Sequence, residues 1–159
     1  MTSGPSNTSA RTRHAIRFPT HASHDLEQNE AFFYIVEDGE RKQFKFHDYS
    51  EIYRRPNLYE QLFYERLQCR SPEVVVSRLE TALKNAGVTL STMRMLDLGA
   101  GNGIVGEELR KRGMNRMVGL DIIAAAGEAA PRDRPDAYDD YLVADITALT
   151  DVEAGKLRD

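Results

Sequence analysis

The residues best suited to chemistry lie near the middle of the chain, where glycine recurs at every second position. An Asp-x-Gly-x-Gly-x-Gly motif spans residues 97–103. Glycine lets a chain turn sharply from a strand into a helix, and it lets a ligand approach the backbone without meeting a Cβ atom. The motif therefore predicts a ligand-binding loop. Its candidate binding residues are Asp97, Gly99, Ala100, Gly101, Asn102 and Gly103.

The same stretch also fits a second pattern. Residues 101–106 read Gly-Asn-Gly-Ile-Val-Gly, which matches the G-x-G-x-x-G fingerprint of dinucleotide-binding folds. Asp97, two residues before the first glycine, argues against that interpretation. A carboxylate there would repel a pyrophosphate, whereas it would attract a sulfonium or ammonium cation. A NAD-dependent oxidoreductase remains as the less favoured alternative.

Two more acids are predicted at the same edge of a sheet. Asp121 follows Gly-Leu, and Asp145 follows Ala, each at the end of a predicted strand. The carboxyl ends of parallel strands form the ligand-binding edge of an open α/β sheet. A carboxylate at such a position can accept hydrogen bonds from both hydroxyls of a ribose. Asp121 therefore supports a cofactor that contains adenosine.

Together these motifs resemble those of class I, Rossmann-like S-adenosylmethionine-dependent methyltransferases over residues 94–146. The resemblance implies S-adenosylmethionine as the cofactor, with the loop beneath its methionine and ribose portions. It implies Asp121 and Ile122 at the ribose and Asp145 and Ile146 at the adenine. It assigns no metal site and no catalytic residue.

Residues upstream of the motif, including two tyrosines, are weaker candidates for contact with the cofactor. Asp48, Tyr49 and Tyr53 lie in a segment that resembles the N-terminal cap of such enzymes, and they could contact the methionine end of the cofactor. Packing between helices is the favoured interpretation for the tyrosines.

The resemblance also predicts an incomplete sheet. Enzymes of this class continue with a fourth strand beside the first and about three more, whereas this sequence ends at Asp159. We expect a truncated gene product or a fragment, or a sheet completed by a partner subunit or by the upstream hairpin. The methyl acceptor is unknown. A catalytically silent module that binds the cofactor or another protein is the main functional alternative.

The predicted organisation has three parts. Residues 1–25 are expected to form a disordered tail, residues 26–90 a β-hairpin with a helical cap, and residues 91–159 a Rossmann-like half-domain of α/β class. The tail holds three of the four histidines, which are His14, His21 and His24. Because no cysteine or carboxylate cluster accompanies them, a solvated tail is favoured over a metal site.

Local signals predict the elements. Aromatic and β-branched residues at 32–36 and alternation at 43–46 flank the turn dipeptide Asp38-Gly39, which indicates a hairpin. Asn57 and Ser71 are predicted helix N-caps, and Gly87 is the predicted end of the second helix. The expected apolar stripe of that helix is Val75, Leu79, Ala82, Leu83 and Ala86.

The half-domain is expected to alternate strands and helices. The predicted strands are residues 93–98, 116–121 and 141–146, and the predicted helices are residues 103–111, 122–130 and the last dozen. Pro131 is expected to stop the second of these helices.

Composition and charge bear on which partners and which compartment the protein is expected to have. The chain has 21 basic and 25 acidic residues and a net charge of −4, so a broad basic surface for nucleic acids is not expected. No apolar run approaches the roughly 20 residues that span a bilayer. The single cysteine, Cys69, fits a reducing compartment and predicts a cytoplasmic protein.

Overall fold

A computed structural model describes residues 12–19 and 30–158 of the chain. These residues form a three-stranded antiparallel sheet and a separate three-stranded parallel sheet, with helices between and after them. In each sheet the strands lie side by side in chain order. The predicted α/β class is confirmed. The two sheets share no strand pairing, so the suggestion that the hairpin completes the parallel sheet is wrong.

The predicted hairpin is confirmed. Strands β2 (Phe32–Glu37) and β3 (Glu40–Lys45) pair antiparallel with Phe33 opposite Phe44. The two turn residues between them both have positive φ, as a tight hairpin turn of matching twist requires.

Part of the predicted tail is instead a strand. β1 (Ala15–Arg17) pairs antiparallel with β2 and places Ile16 opposite Ile35 in the core. His14, just before β1, donates its backbone N–H to Oε1 of Gln61 at 2.8 Å. The composition of this segment is polar, but one buried isoleucine and a long-range edge pairing order it. His21 and His24 lie outside the described residues.

Two short helical segments follow the hairpin. They are α1 (Tyr49–Tyr53) and a π-helix (Glu60–Arg66), in which the N–H of Leu67 reaches back five residues to the carbonyl of Leu62. Asn57 is not an N-cap, because its φ of 63° places it in a left-handed turn before the helix. We refer to residues 49–66 as the cap.

The second predicted helix, α2 (Ser71–Asn85), begins one residue early, since Ser71 is already helical. Gly87 follows its end with φ of 70°, as predicted. Of the predicted stripe, Leu79 and Leu83 pack against the core as expected, but Val76, not Val75, is buried. Ala82 and Ala86 are exposed. Val76 is buried because it packs against Leu109 and Met114, which lie far from it in the sequence.

The parallel sheet has the predicted alternation. Strands β4 (Arg94–Leu98), β5 (Arg116–Asp121) and β6 (Asp140–Val143) are connected by helices α3 (Ile104–Lys111) and α4 (Ala124–Asp133). A final helix, α5 (Asp151–Arg158), confirms the predicted C-terminal helix.

Two boundaries in this part differ from prediction. Strand β6 ends at Val143 rather than Ile146, because Asp145 caps a short 3₁₀ turn. Helix α4 does not stop at Pro131 but continues to Asp133, and the carbonyl of Ala130 still receives a hydrogen bond from the N–H of Arg134 at 2.8 Å.

One edge of the parallel sheet carries exposed apolar residues. Within the described residues β4 pairs only with β5, and Leu96 and Leu98 on β4 are both exposed. No described helix is both long and apolar enough to cross a membrane.

Candidate functional site

The loop at residues 99–103, hereafter the glycine loop, connects β4 to α3. Its glycines Gly99, Gly101 and Gly103 have φ of 75°, 54° and 86°. Residues that carry a side chain rarely adopt this left-handed region, so the backbone conformation of the loop requires glycine at these three positions. The N–H groups of Gly99 and Ala100 both donate to the carbonyl of Leu120 on β5, at 2.8 and 3.1 Å. The loop is therefore fixed to the carboxyl edge of the sheet.

Gly101 is also a point of close approach between the cap and the loop. A Cβ atom at this position would overlap the hydroxyl oxygen of Tyr53, which is itself buried. The hydroxyl of Tyr141 also contacts this residue, because it donates a hydrogen bond to the carbonyl of Gly101 at 2.8 Å. Two tyrosines thus hold Gly101, and one of them, Tyr53, was singled out from the sequence.

Asp121 lies at the end of β5, as predicted, but it faces inward. It is 7% exposed, its Oδ2 accepts the N–H of Gly101 and its Oδ1 accepts the N–H of Ile123, both at 2.9 Å. The carboxylate therefore holds the glycine loop in place. A carboxylate has about four lone-pair positions, so acceptor capacity remains for a ligand.

Asp97 is the second acid beside the glycine loop. Burial raises its pKa above the usual range, the hydrogen bond from Tyr138 lowers it, and the nearby charge of Asp121 raises it again. Among the described residues, no lysine, arginine or histidine forms an ion pair with either acid. The pair therefore leaves an unbalanced negative charge at the loop.

Asp145 does not join this pair. It is exposed, and its Oδ1 accepts the N–H and the hydroxyl of Thr147 at 2.8 and 2.7 Å, which lowers its pKa. The residue before it, Ala144, is hydrogen-bonded to the end of β5, because its N–H donates to the carbonyl of Asp121 at 3.0 Å. Ile122 and Ile146 are both exposed, with 67% and 40% of their surfaces accessible.

A buried polar cluster behind the loop was missed by sequence analysis. Oε1 of Glu60, in the π-helix, accepts Asn102 Nδ2 and an Nη1 hydrogen of Arg134, both at 2.7 Å. Arg134 also donates to the carbonyl of Asn102 at 3.2 Å. Arg134 is 74 residues from Glu60 in sequence, so no local pattern could have revealed the pair.

The cap and the loop line a half-open cavity of about 140 Å³. Tyr53 lines it, whereas Asp48, another candidate from the upstream segment, accepts the N–H of Lys45 in a turn at 2.7 Å. Tyr59 and Tyr64 also line the cavity. They belong to a tyrosine-rich segment, and that enrichment is the one signal by which sequence could have found them.

A larger cavity of about 320 Å³ lies at the opposite end of the parallel sheet, beside the amino ends of β4 and β5. Ligands of open α/β sheets bind outside the carboxyl ends of the strands, so we place the candidate site at the glycine loop. No group of three or more metal-binding side chains occurs among the described residues.

Comparisons with family models, curated proteins and solved structures find no match to this chain. Its function must therefore be argued from the geometry and charge of the site.

Proposed function

We propose that the chain binds S-adenosylmethionine at the glycine loop and serves methyl transfer. The observation that carries the proposal is the pair of acids, Asp97 and Asp121, beside a glycine-rich turn with no basic partner among the described residues. S-adenosylmethionine presents a sulfonium and an ammonium cation, and both are attracted by such a pair.

The hydrogen bonds of the loop argue against a dinucleotide. A pyrophosphate is held by free backbone N–H groups at a strand-to-helix turn. Here the N–H groups of Gly99 and Ala100 donate to Leu120, and that of Gly101 donates to Asp121. These three donors are used within the protein, so a phosphate would have only the N–H groups at the start of α3, near two carboxylates that repel it.

The remaining candidate residues would bind the rest of the cofactor. The free lone pairs of Asp121 would accept the ribose hydroxyls. Ile122 and Ile146 offer exposed apolar surface for a planar adenine, and Oδ2 of Asp145 would accept its amino group. Asp97 would lie toward the cationic part of the cofactor.

The bound cofactor supplies an activated methyl group on a positively charged sulfur. The chain's own residues bind and orient it, and this class of transfer depends largely on proximity and alignment with the acceptor. We name no catalytic base, because no described residue is placed against an acceptor atom. A catalytically silent cofactor-binding module is the second candidate function, since the same residues would serve binding alone.

Isothermal titration calorimetry with S-adenosylmethionine, S-adenosylhomocysteine and NAD tests the proposal. We expect the first two to bind and NAD not to bind. Asp121→Asn should weaken binding by at least about tenfold, since a hydrogen bond to a charged group contributes about 1.5–3 kcal/mol. Asp38→Asn, which changes an exposed acid in the turn between β2 and β3, is the matched control. Binding of NAD alone would contradict the proposal.

Turnover separates the enzyme from the silent module. The measurement is formation of S-adenosylhomocysteine from S-adenosylmethionine in the presence of candidate acceptors. Formation that depends on an acceptor supports methyl transfer, whereas binding without formation favours the module.

A further inference from the structure

The cavity between the cap and the glycine loop has a distinct chemical character. Its walls come from the cap, from the loop, and from the first turns of α2 and α3. The side chains that line it besides the loop are Tyr53, Tyr59, Tyr64, Ser71, Pro72, Val75, Ile104 and Val105. All of these are uncharged, and most are aromatic or aliphatic.

The tyrosines themselves are neutral. Burial is the main cause that raises the pKa of Tyr53, Tyr59 and Tyr64, so all three phenols keep their protons at physiological pH. The cavity therefore lacks the charges that would stabilise the ammonium and carboxylate of an amino acid, since a buried charge needs a partner. The methionine end of the cofactor fits better on the side of Asp97.

The volume and the lining of the cavity suit one ring. The ring of Tyr59 lies 5.2 Å from that of Tyr53 and 6.0 Å from that of Tyr64, so the three form a continuous aromatic wall. Pro72 and Val75 contribute apolar surface from α2. The volume of about 140 Å³ is close to the roughly 150 Å³ of an engineered apolar cavity that binds benzene.

We propose that this cavity is the acceptor subsite and takes a single uncharged aromatic ring that bears a hydroxyl group. The inference rests on the proposed methyl transfer. In that reaction an oxygen lone pair of the acceptor forms the new bond to the methyl carbon. The carbon–sulfur bond breaks with its electron pair going to sulfur, which yields S-adenosylhomocysteine, and the hydroxyl proton passes to water.

Phenol and benzoate are the probes, because they share a ring and differ in charge. Their binding to the full chain is followed by chemical shift changes in ¹H–¹⁵N spectra. We expect phenol to bind in the millimolar range or better and benzoate to bind at least about tenfold more weakly. Absence of phenol binding, or equal binding of benzoate, would overturn the inference.

Two neighbouring valines on α2 provide a matched pair of variants. Val75 lines the cavity at its rim and is 54% exposed, whereas Val74 is 46% exposed and does not line it. Val75→Phe should fill the cavity and weaken phenol binding about tenfold, and Val74→Phe should leave it unchanged. Both side chains are exposed enough that neither substitution should prevent folding. Phenol binding that survives Val75→Phe places the ring elsewhere and overturns the inference.

A competition experiment separates this inference from the proposed function. We expect S-adenosylmethionine and phenol to bind together, with neither weakening the other. Mutual exclusion would mean that the cavity holds part of the cofactor, which overturns the acceptor subsite and leaves cofactor binding intact. Failure of S-adenosylmethionine to bind, with phenol binding still lost in Val75→Phe, would remove the proposed function and leave only a ring-binding site.

Discussion

The hydroxyl of Tyr138 donates a hydrogen bond of 2.6 Å to Oδ2 of Asp97, which lies 41 residues earlier in the chain. Two glycines make room for the tyrosine ring. A Cβ atom on Gly106 of α3 would lie 2.6 Å from the ring, and one on Gly119 of β5 would lie 3.0 Å from it. Gly106, the last glycine of the apparent dinucleotide fingerprint, is therefore explained by packing against Tyr138.

This arrangement predicts that Asp97 lowers stability at neutral pH. Its pKa is raised in the folded protein, mainly by burial, so between its usual value and that raised value the folded state binds more protons than the unfolded state. Stability therefore falls as pH rises through this window. Asp97→Asn removes the charge and keeps an oxygen for Tyr138, so the melting temperature at pH 7 should rise and its decline above pH 4 should flatten.

The same variant should bind S-adenosylmethionine about tenfold more weakly, because the cation loses an opposite charge. Thermal unfolding across pH and calorimetry at pH 7 provide the two readouts, with Asp38→Asn in the exposed hairpin turn as the control. A lower melting temperature at pH 7 would show that the carboxylate of Asp97 stabilises the fold instead.

The contact between Tyr53 and Gly101 predicts coupled effects on stability. Gly101→Ala introduces two costs, namely a left-handed residue, at about 1–2 kcal/mol, and an overlap with the tyrosine hydroxyl. Tyr53→Phe removes that oxygen and leaves the ring carbon Cζ, 3.2 Å from the new Cβ. The double variant should therefore recover the part of the loss that comes from the overlap.

Urea unfolding of the two single variants and the double variant measures this coupling as a double-mutant cycle. Gly113→Ala is the control, since Gly113 also has positive φ but has open space around its Cβ position. It should lose only the backbone cost, and Tyr53→Phe should not rescue it. Additive losses at Gly101 and Tyr53 would rule out the contact as a source of strain.

Sequence reasoning succeeded where a few neighbouring residues determine the structure. The glycine loop, the hairpin turn at Asp38 and Gly39 and the alternation of strands and helices all follow from local pattern. It failed where distant residues decide the outcome. β1 is ordered by Ile16 packing beneath β2, and Val76 rather than Val75 is buried because α3 and its following turn provide the partners.

The candidate site shows the same division. The types and order of Asp97 and Asp121 could be read from the chain, but their hydrogen-bond partners could not. Tyr138, Glu60 and Arg134 are brought to the loop only by the folded arrangement of the cap and α4. Asp145 was predicted at a strand end, but its nearest partner, Thr147, draws it into a local turn.

A salt bridge between Glu37 of β2 and Arg55, which follows α1, predicts how the stability of the fold changes as the pH falls. The guanidinium donates from Nε and Nη2 to the two carboxylate oxygens at 2.6 and 3.2 Å, and both side chains are less than a quarter exposed. The hydrogen bond from Arg55 is the main reason that the pKa of Glu37 falls from 4.5 to about 2. Lys42 adds a smaller contribution in the same direction.

Because this pKa is lowered on folding, the stabilisation is fully present above pH 4.5 and is lost as pH falls toward 2. Arg55 also pairs with Glu51 at 3.0 Å and lowers the pKa of that carboxyl. Arg55→Met should therefore remove the acid dependence due to both carboxylates and cost about 1–2 kcal/mol at pH 7, less than for a fully buried pair. The measurement is urea unfolding at a series of pH values between 2 and 7. Arg13→Met is the control, because its bridge to Glu65 is exposed and should contribute under about 0.5 kcal/mol. If Arg55→Met keeps the original acid dependence, carboxylates other than Glu37 and Glu51 cause it.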